Sequence, residues 1–181
     1  MKLLTVLFAA LLIFGCAEKK DTNSGTETKE TADAVKLPEG LFVKSIDGAV
    51  SVVEARKLKA GDKVTVKGKV MGALKVFVDN RALMIIGDTG ILTSCDDRPG
   101  DDCPNPWDVC CDDEKDIKDG TLSVQVLGAD GKVLKTGLKG KGGLKKLSYV
   151  IIKGTVSTDS TADSMTINAD SIALTEKPKK K

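Results

Sequence analysis

The sequence predicts an all-β domain with one short helix and a cysteine-stapled loop, on three observations. Apolar residues alternate in several short runs, as in Val64, Val66 and Val70, or Leu122, Val124 and Val126, which is the period of a half-buried strand. Aromatic content is only 3%, so the core has to be built from Val, Ile and Leu, residues that suit strands. Four of the five cysteines, the single Trp and three of the five prolines crowd into residues 95–111, where no strand period survives.

In chain order, Met1-Lys2 is a short basic start and residues 3–14 are an apolar run. That run is too short to span a bilayer and has the form of a signal-peptide core. Ile13-Phe14-Gly15-Cys16 follows and resembles the lipobox of bacterial lipoproteins. The resemblance implies cleavage before Cys16, lipidation of Cys16 and a membrane as partner through that anchor. Ala17 is not the Asp that retains some lipoproteins at the inner membrane, which tilts the expected place in the bacterial cell envelope toward the outer membrane. The organisation expected is a signal peptide at 1–15, a solvated tether at 16–36, a folded domain at 37–175 with a cysteine loop at 88–120, and a basic tail at 176–181.

Leu41-Phe42-Val43 is a first short strand or packing arm. Ser51-Val-Val-Glu54 has capping-box spacing and opens a helix over 52–58 that Gly61 stops. Residues 62–71 alternate as a strand, with Gly68 inside it marking a bulge or bend. Residues 75–88 are a strand pair or one kinked strand, broken at Asp79-Asn80. After the cysteine loop, Leu122, Val124 and Val126 alternate, and Ala129-Asp-Gly-Lys132 is a hairpin signal before a returning run over 133–138. Residues 139–146 form a mobile Gly/Lys-rich loop. Residues 147–156 are a strand with Gly154 near its end. Met165, Ile167 and Ala169, then Ile172 and Leu174 after a phase slip, make the last strand.

This order, with Val64-x-Val66-x-Gly68-x-Val70, Lys153-Gly-Thr-Val156 and Ile167-Asn-Ala-Asp-Ser-Ile172, resembles the OB-fold over 61–174. It implies a small OB-like Greek-key barrel. Short alternating strands also suit an immunoglobulin-like sandwich.

The cysteine spacing is C-x7-C-x6-C-C. With Cys16 lipidated, an exported chain retains Cys95, Cys103, Cys110 and Cys111, an even set expected to form two disulfides. A bond between neighbours would strain the backbone. Cys95 and Cys103 are therefore expected to join Cys110 and Cys111 in an order the sequence leaves open, with Trp107 packed over the bonds. No short C-x2–4-C pair or EF-hand order is present, so no metal and no cofactor is expected. The acids of the loop read as solvated. Cys103-Pro-Asn-Pro-Trp-Asp-Val-Cys-Cys111, with Phe77-Val-Asp-Asn-Arg-Ala82 upstream, resembles a family of bacterial exported proteins that carry a C-P-T-P-W-D-Y-C-C motif beside an OB-like barrel. Asn105 and Val109 depart from its Thr and Tyr. The resemblance implies fold and location and no activity.

The chain has no His, which excludes His-based acid–base catalysis and Ser–His or Cys–His pairs. Carboxylate pairs such as Asp79 with Asp88 suggest themselves, and no catalytic residue is assigned. Net charge is +2, too small to steer the protein to nucleic acid. The expected function is therefore a non-enzymatic, lipid-anchored envelope protein whose barrel meets a protein or polymer. The alternative is binding of single-stranded nucleic acid or oligosaccharide. Lys139, Lys141, Lys145 and Lys146 supply a basic loop for the nucleic-acid version, but stacking aromatics are scarce.

Overall fold

The computed structural model describes residues 35–178. The leader, Cys16, most of the tether and residues 179–181 lie outside them. Strands β1 (Phe42–Val43), β2 (Lys63–Lys69), β3 (Leu83–Gly87), β4 (Thr121–Gln125), β5 (Tyr149–Val156) and β6 (Thr166–Thr175) alternate with two short helices, α1 (Val52–Ala55) and α2 (Glu114–Gly120). Strands β5, β2, β3, β4 and β6 follow one another, and β6 returns to β5, closing a five-strand barrel. β4 and β6 are parallel; the other barrel pairs are antiparallel. β1 adds a short parallel pairing on β6, Phe42 to Ile172.

The alternation read from the sequence is the inward face. Val64 and Val66, Met84 and Ile86, Leu122 and Val124, Val150 and Ile152, and Ile167 and Ile172 all enter one buried cluster. The slip in β6 is a bulge: Lys153 faces Ser171 and Gly154 faces Ala169, so Asp170 is skipped. Two residues on one strand then oppose one on the other, which bends the strand and keeps Ile172 inward. Gly154 is required there, since a Cβ would lie 2.2 Å from the Asn168 carbonyl oxygen.

The capping box is formed, with Ser51 Oγ accepting from Glu54 N–H and Glu54 Oε2 accepting from Ser51 N–H, both at 3.2 Å. The helix it starts is shorter than expected and ends at Ala55. Its first turn is also held from outside, where Asp88 Oδ2 accepts from Val53 N–H at 3.0 Å. Gly68 carries no bulge, because β2 pairs with β5 in unbroken register through it. Its lack of a side chain serves close approach, a Cβ there meeting the Gly87 carbonyl at 3.1 Å.

Residues 75–88 form a small hairpin with a Phe77–Met84 bridge and Asn80 at φ 54° in the turn. Asn tolerates this left-handed conformation better than most residues. The return over 133–138 is a single bridge, Leu127 to Val133, rather than a strand. The Gly/Lys-rich loop is tied down at both ends by fully buried Leu138 and Leu144. Among the described residues, no helix is long and apolar enough to cross a membrane.

Candidate functional site: the cysteine loop and two clefts

The connection from Asp88 to Gly120 lies on the outside of the barrel and has its own small core of Met71, Leu92 and Val109, with Ile117 against it. Met71 follows β2 in the outward phase, so the loop covers a patch that would otherwise face water. Two glycines let it settle. A Cβ on Gly87 would meet Met71 at 2.9 Å, and one on Gly120 would meet Leu92 at 2.8 Å. Helix α2 was missed by the sequence reading because Ile117 is its single large apolar residue and its acids resemble those of the loop before it.

Lys69 is the clamp of this assembly. It shares its phase with outward-facing Lys63, Thr65 and Lys67, yet it is only 1% exposed, because the loop lies across it. Its Nζ donates to Ser94 Oγ at 2.6 Å, Asp96 Oδ1 at 2.8 Å and Asp97 Oδ2 at 2.8 Å. Each of the three ammonium protons has a partner, which is the condition for burying a charge. Lys177, the first lysine of the basic tail, also pairs with Asp97. The Lys177 ammonium, and after it that of Lys69, holds the Asp97 carboxyl below the usual carboxylate range.

Three other loop acids are used locally, while Asp102 and Asp113 face solvent. Asp112 Oδ2 accepts from Thr93 N–H at 2.8 Å, and Asp112 pairs with Arg98. Asp101 Oδ1 accepts from Cys103 N–H at 2.8 Å, and Asp108 Oδ1 from Val109 N–H at 2.8 Å. Asp88 spends both oxygens on backbone N–H groups, those of Val53 and Gly90, while Asp79 sits exposed in its turn. The pair considered for catalysis is thus split between a helix anchor and a solvent-facing loop.

The loop cysteines are free thiols, with no two sulfurs at bonding distance. The two-disulfide arrangement expected from the sequence is therefore not what the geometry presents. Cys95, Cys103 and Cys110 bring their sulfurs within 4.8 Å of one another, and Cys111 Sγ lies 3.9 Å from Cys110 Sγ. Burial pushes the Cys95 thiol up, and the neighbouring Cys103, Asp101 and Cys110 add to it. The Cys110 thiol is raised first by Cys111. Trp107 packs on the barrel core, donates from Nε1 to the Leu74 carbonyl at 3.0 Å, and carries Lys146 Nζ 3.0 Å from its ring centre.

Two clefts open on the barrel surface. One, of about 480 Å³, runs from Ser51 and Gly68 past Tyr149 to Pro178. The other, of about 420 Å³, is the more polar of the two, lined by Arg81, Gln125, Lys132, Lys135, Asp159 and Asn168 together with apolar Leu127 and Val133. In it Gln125 Nε2 donates to Asn168 Oδ1 at 2.7 Å, across the parallel β4–β6 pair. Neither cleft was assigned from the sequence, since their residues come from segments far apart in the chain. A comparison with family profiles, curated proteins and solved structures found no match.

Proposed function

We propose that this chain is a non-enzymatic, lipid-anchored protein of the bacterial cell envelope whose OB-like Greek-key barrel binds a protein or polymer partner at the polar cleft. One observation carries the reading. The cleft opens beside the parallel β4–β6 closure and is lined by Arg81, from the connection before β3, and by Asp159, from the connection between β5 and β6. In a five-strand OB barrel the corresponding two loops frame the ligand face. The strand order β5-β2-β3-β4-β6 with that one parallel barrel pair supports the Greek-key assignment.

The non-enzymatic part is supported by the lack of His and by the engagement of both Asp88 oxygens in backbone hydrogen bonds. Among the alternatives, the lining favours oligosaccharide over single-stranded nucleic acid. Its amides, carboxylate and cations suit hydroxyl groups, and no aromatic side chain lines it. Stacking contributes about 1–3 kcal/mol per base in single-strand binders. Phe77 is buried in the core and the Trp107 face is taken by Lys146.

The test is a calorimetric titration of the purified chain with envelope glycan fragments, envelope protein extracts and a single-stranded oligonucleotide at physiological salt. Binding that weakens in Arg81→Ala and Gln125→Ala supports the cleft. Oligonucleotide binding that falls steeply with salt would replace this reading with the nucleic-acid one, and binding indifferent to both variants would remove the cleft from it. The anchor is tested separately: Cys16→Ser should abolish incorporation of labelled fatty acid, and undiminished labelling sinks it.

A further inference from the structure

We propose that the thiols of Cys95, Cys103 and Cys110 bind one soft d10 cation, zinc or copper(I), that ties the cysteine loop together. The inference is independent of the anchor and of the polar cleft. It rests on convergence: residues separated by long spacers bring three sulfurs within 4.8 Å of one another. Two disulfides would sort four sulfurs into two pairs. Here three share one point, and the fourth, on Cys111, stands 3.9 Å from Cys110 Sγ. In a tetrahedral site with metal–sulfur bonds of about 2.3 Å, the sulfurs lie roughly 3.8 Å apart. The observed separations exceed that value by at most about 1 Å.

The backbone that carries the sulfurs is already fixed. Cys95 N–H donates to the Asp108 carbonyl at 2.9 Å, Asp101 receives Cys103 N–H, and Val109, beside Cys110, is fully buried. The spacing rule that argued against a metal concerns ligand pairs on one tight turn. Here the hydrogen-bonded loop does the gathering instead.

The donor chemistry narrows the ion. With no imidazole in the chain, an all-sulfur set selects zinc or copper(I) over hard cations. The nearby protein cations are engaged elsewhere, Lys69 with Asp96 and Asp97 and Arg98 with Asp112. A bound cation would let three thiolates coexist, each ligand giving its proton to the buffer. Cys111 and Asp101 are the candidates for a fourth ligand.

The experiment uses the full chain extracted in detergent. Intact mass is taken without reductant, metal content is measured, and Co²⁺ is then titrated into the reduced chain as a spectroscopic probe. The expected results are one Zn²⁺ or Cu⁺ per chain, four alkylatable loop thiols after chelation, and a thiolate-to-cobalt charge-transfer band that is lost in Cys103→Ser. If that variant fails to fold, the wild-type band and metal content decide. A mass deficit matching two disulfides in the chain as isolated overturns the proposal, as does a cobalt band or metal content unchanged by Cys103→Ser.

Discussion

The barrel and the cysteine loop are stabilised in opposite ways. The barrel buries Val, Ile, Leu and Met side chains from every barrel strand in one cluster, from Val64 on β2 to Ile172 on β6. The loop between Asp88 and Gly120 sits on three buried apolar residues, one buried lysine and a set of carboxylates that accept from its own backbone. Stability spread over many apolar contacts in one core is lost cooperatively, everywhere at once. Stability concentrated in a few polar contacts can be removed locally. The loop should therefore come loose from a barrel that stays folded, whereas nothing that opens the barrel can spare the loop, which uses β2 as its floor.

The largest effect is expected from breaking the barrel. Ile152 is fully buried in β5 between its partners β2 and β6. Ile152→Ala removes buried methyl groups and leaves a cavity, at a cost of about 2–5 kcal/mol. A urea titration followed by far-UV circular dichroism should show a lower midpoint, with loop and strand amides losing exchange protection together. Loop amides that keep their protection in this variant would show that the loop has a stability of its own.

Next comes the clamp. Lys69→Met retains the aliphatic stem but takes the cation away from Asp96 and Asp97, whose side chains are 30% and 26% exposed. Removing one partner of a fully buried pair costs more than that of an exposed one. With carboxylates that still reach water, about 1–3 kcal/mol is expected. Hydrogen exchange should accelerate across residues 94–112 while β5 and β6 keep their protection. Equal acceleration in the strands would mean that loop and barrel are one cooperative unit.

The same contrast explains what could be read from the sequence. Barrel strands announce themselves through alternation, and even the β6 bulge shows as the step from Ala169 to Ile172. Lys69 was invisible because its phase is that of a solvent-facing lysine; the one clue is Met71, an apolar residue in the same outward phase, which marks a covered face. The sulfur trio was invisible because spacers of this length carry no pairing rule, and its convergence depends on hydrogen bonds such as Cys95 N–H to the Asp108 carbonyl. The polar cleft draws on three separate connections and two strands, so no local pattern encodes it.

Acid should separate the two regions with a smaller effect. Lys177, then Lys69, lowers the folded-state pKa of Asp97 below its unfolded value of about 3.9. The folded state then binds fewer protons than the unfolded one, so this carboxylate stabilises the loop above that unfolded value. The contribution is lost as pH falls through the lower folded pKa. Amides near Asp97 should lose protection on going from pH 5 to pH 3 before those of β5 do, and Lys177→Ala should move the loss to higher pH. Simultaneous loss in both regions would contradict this.

The smallest effect is expected where loop and barrel meet through Trp107. The indole packs on the barrel core, is fixed by its hydrogen bond to the Leu74 carbonyl, and has Lys146 Nζ over its face. Lys146 is half-buried, so a cation over an aromatic ring in this setting contributes about 0.5–1 kcal/mol. Lys146→Ala removes that contribution and leaves the hydrogen bond and the core contact in place. The urea midpoint should fall only slightly. Because the protein has a single Trp, its fluorescence reports this site alone, and the variant's folded-state emission should change as the ring face meets water. Trp107→Phe is the sharper probe. It loses the Nε1 hydrogen bond as well, so it should cost more than Lys146→Ala while remaining milder than Lys69→Met. If Lys146→Ala proves the costlier of the two, the cation, rather than the packed ring, is what joins the loop to the barrel at this point.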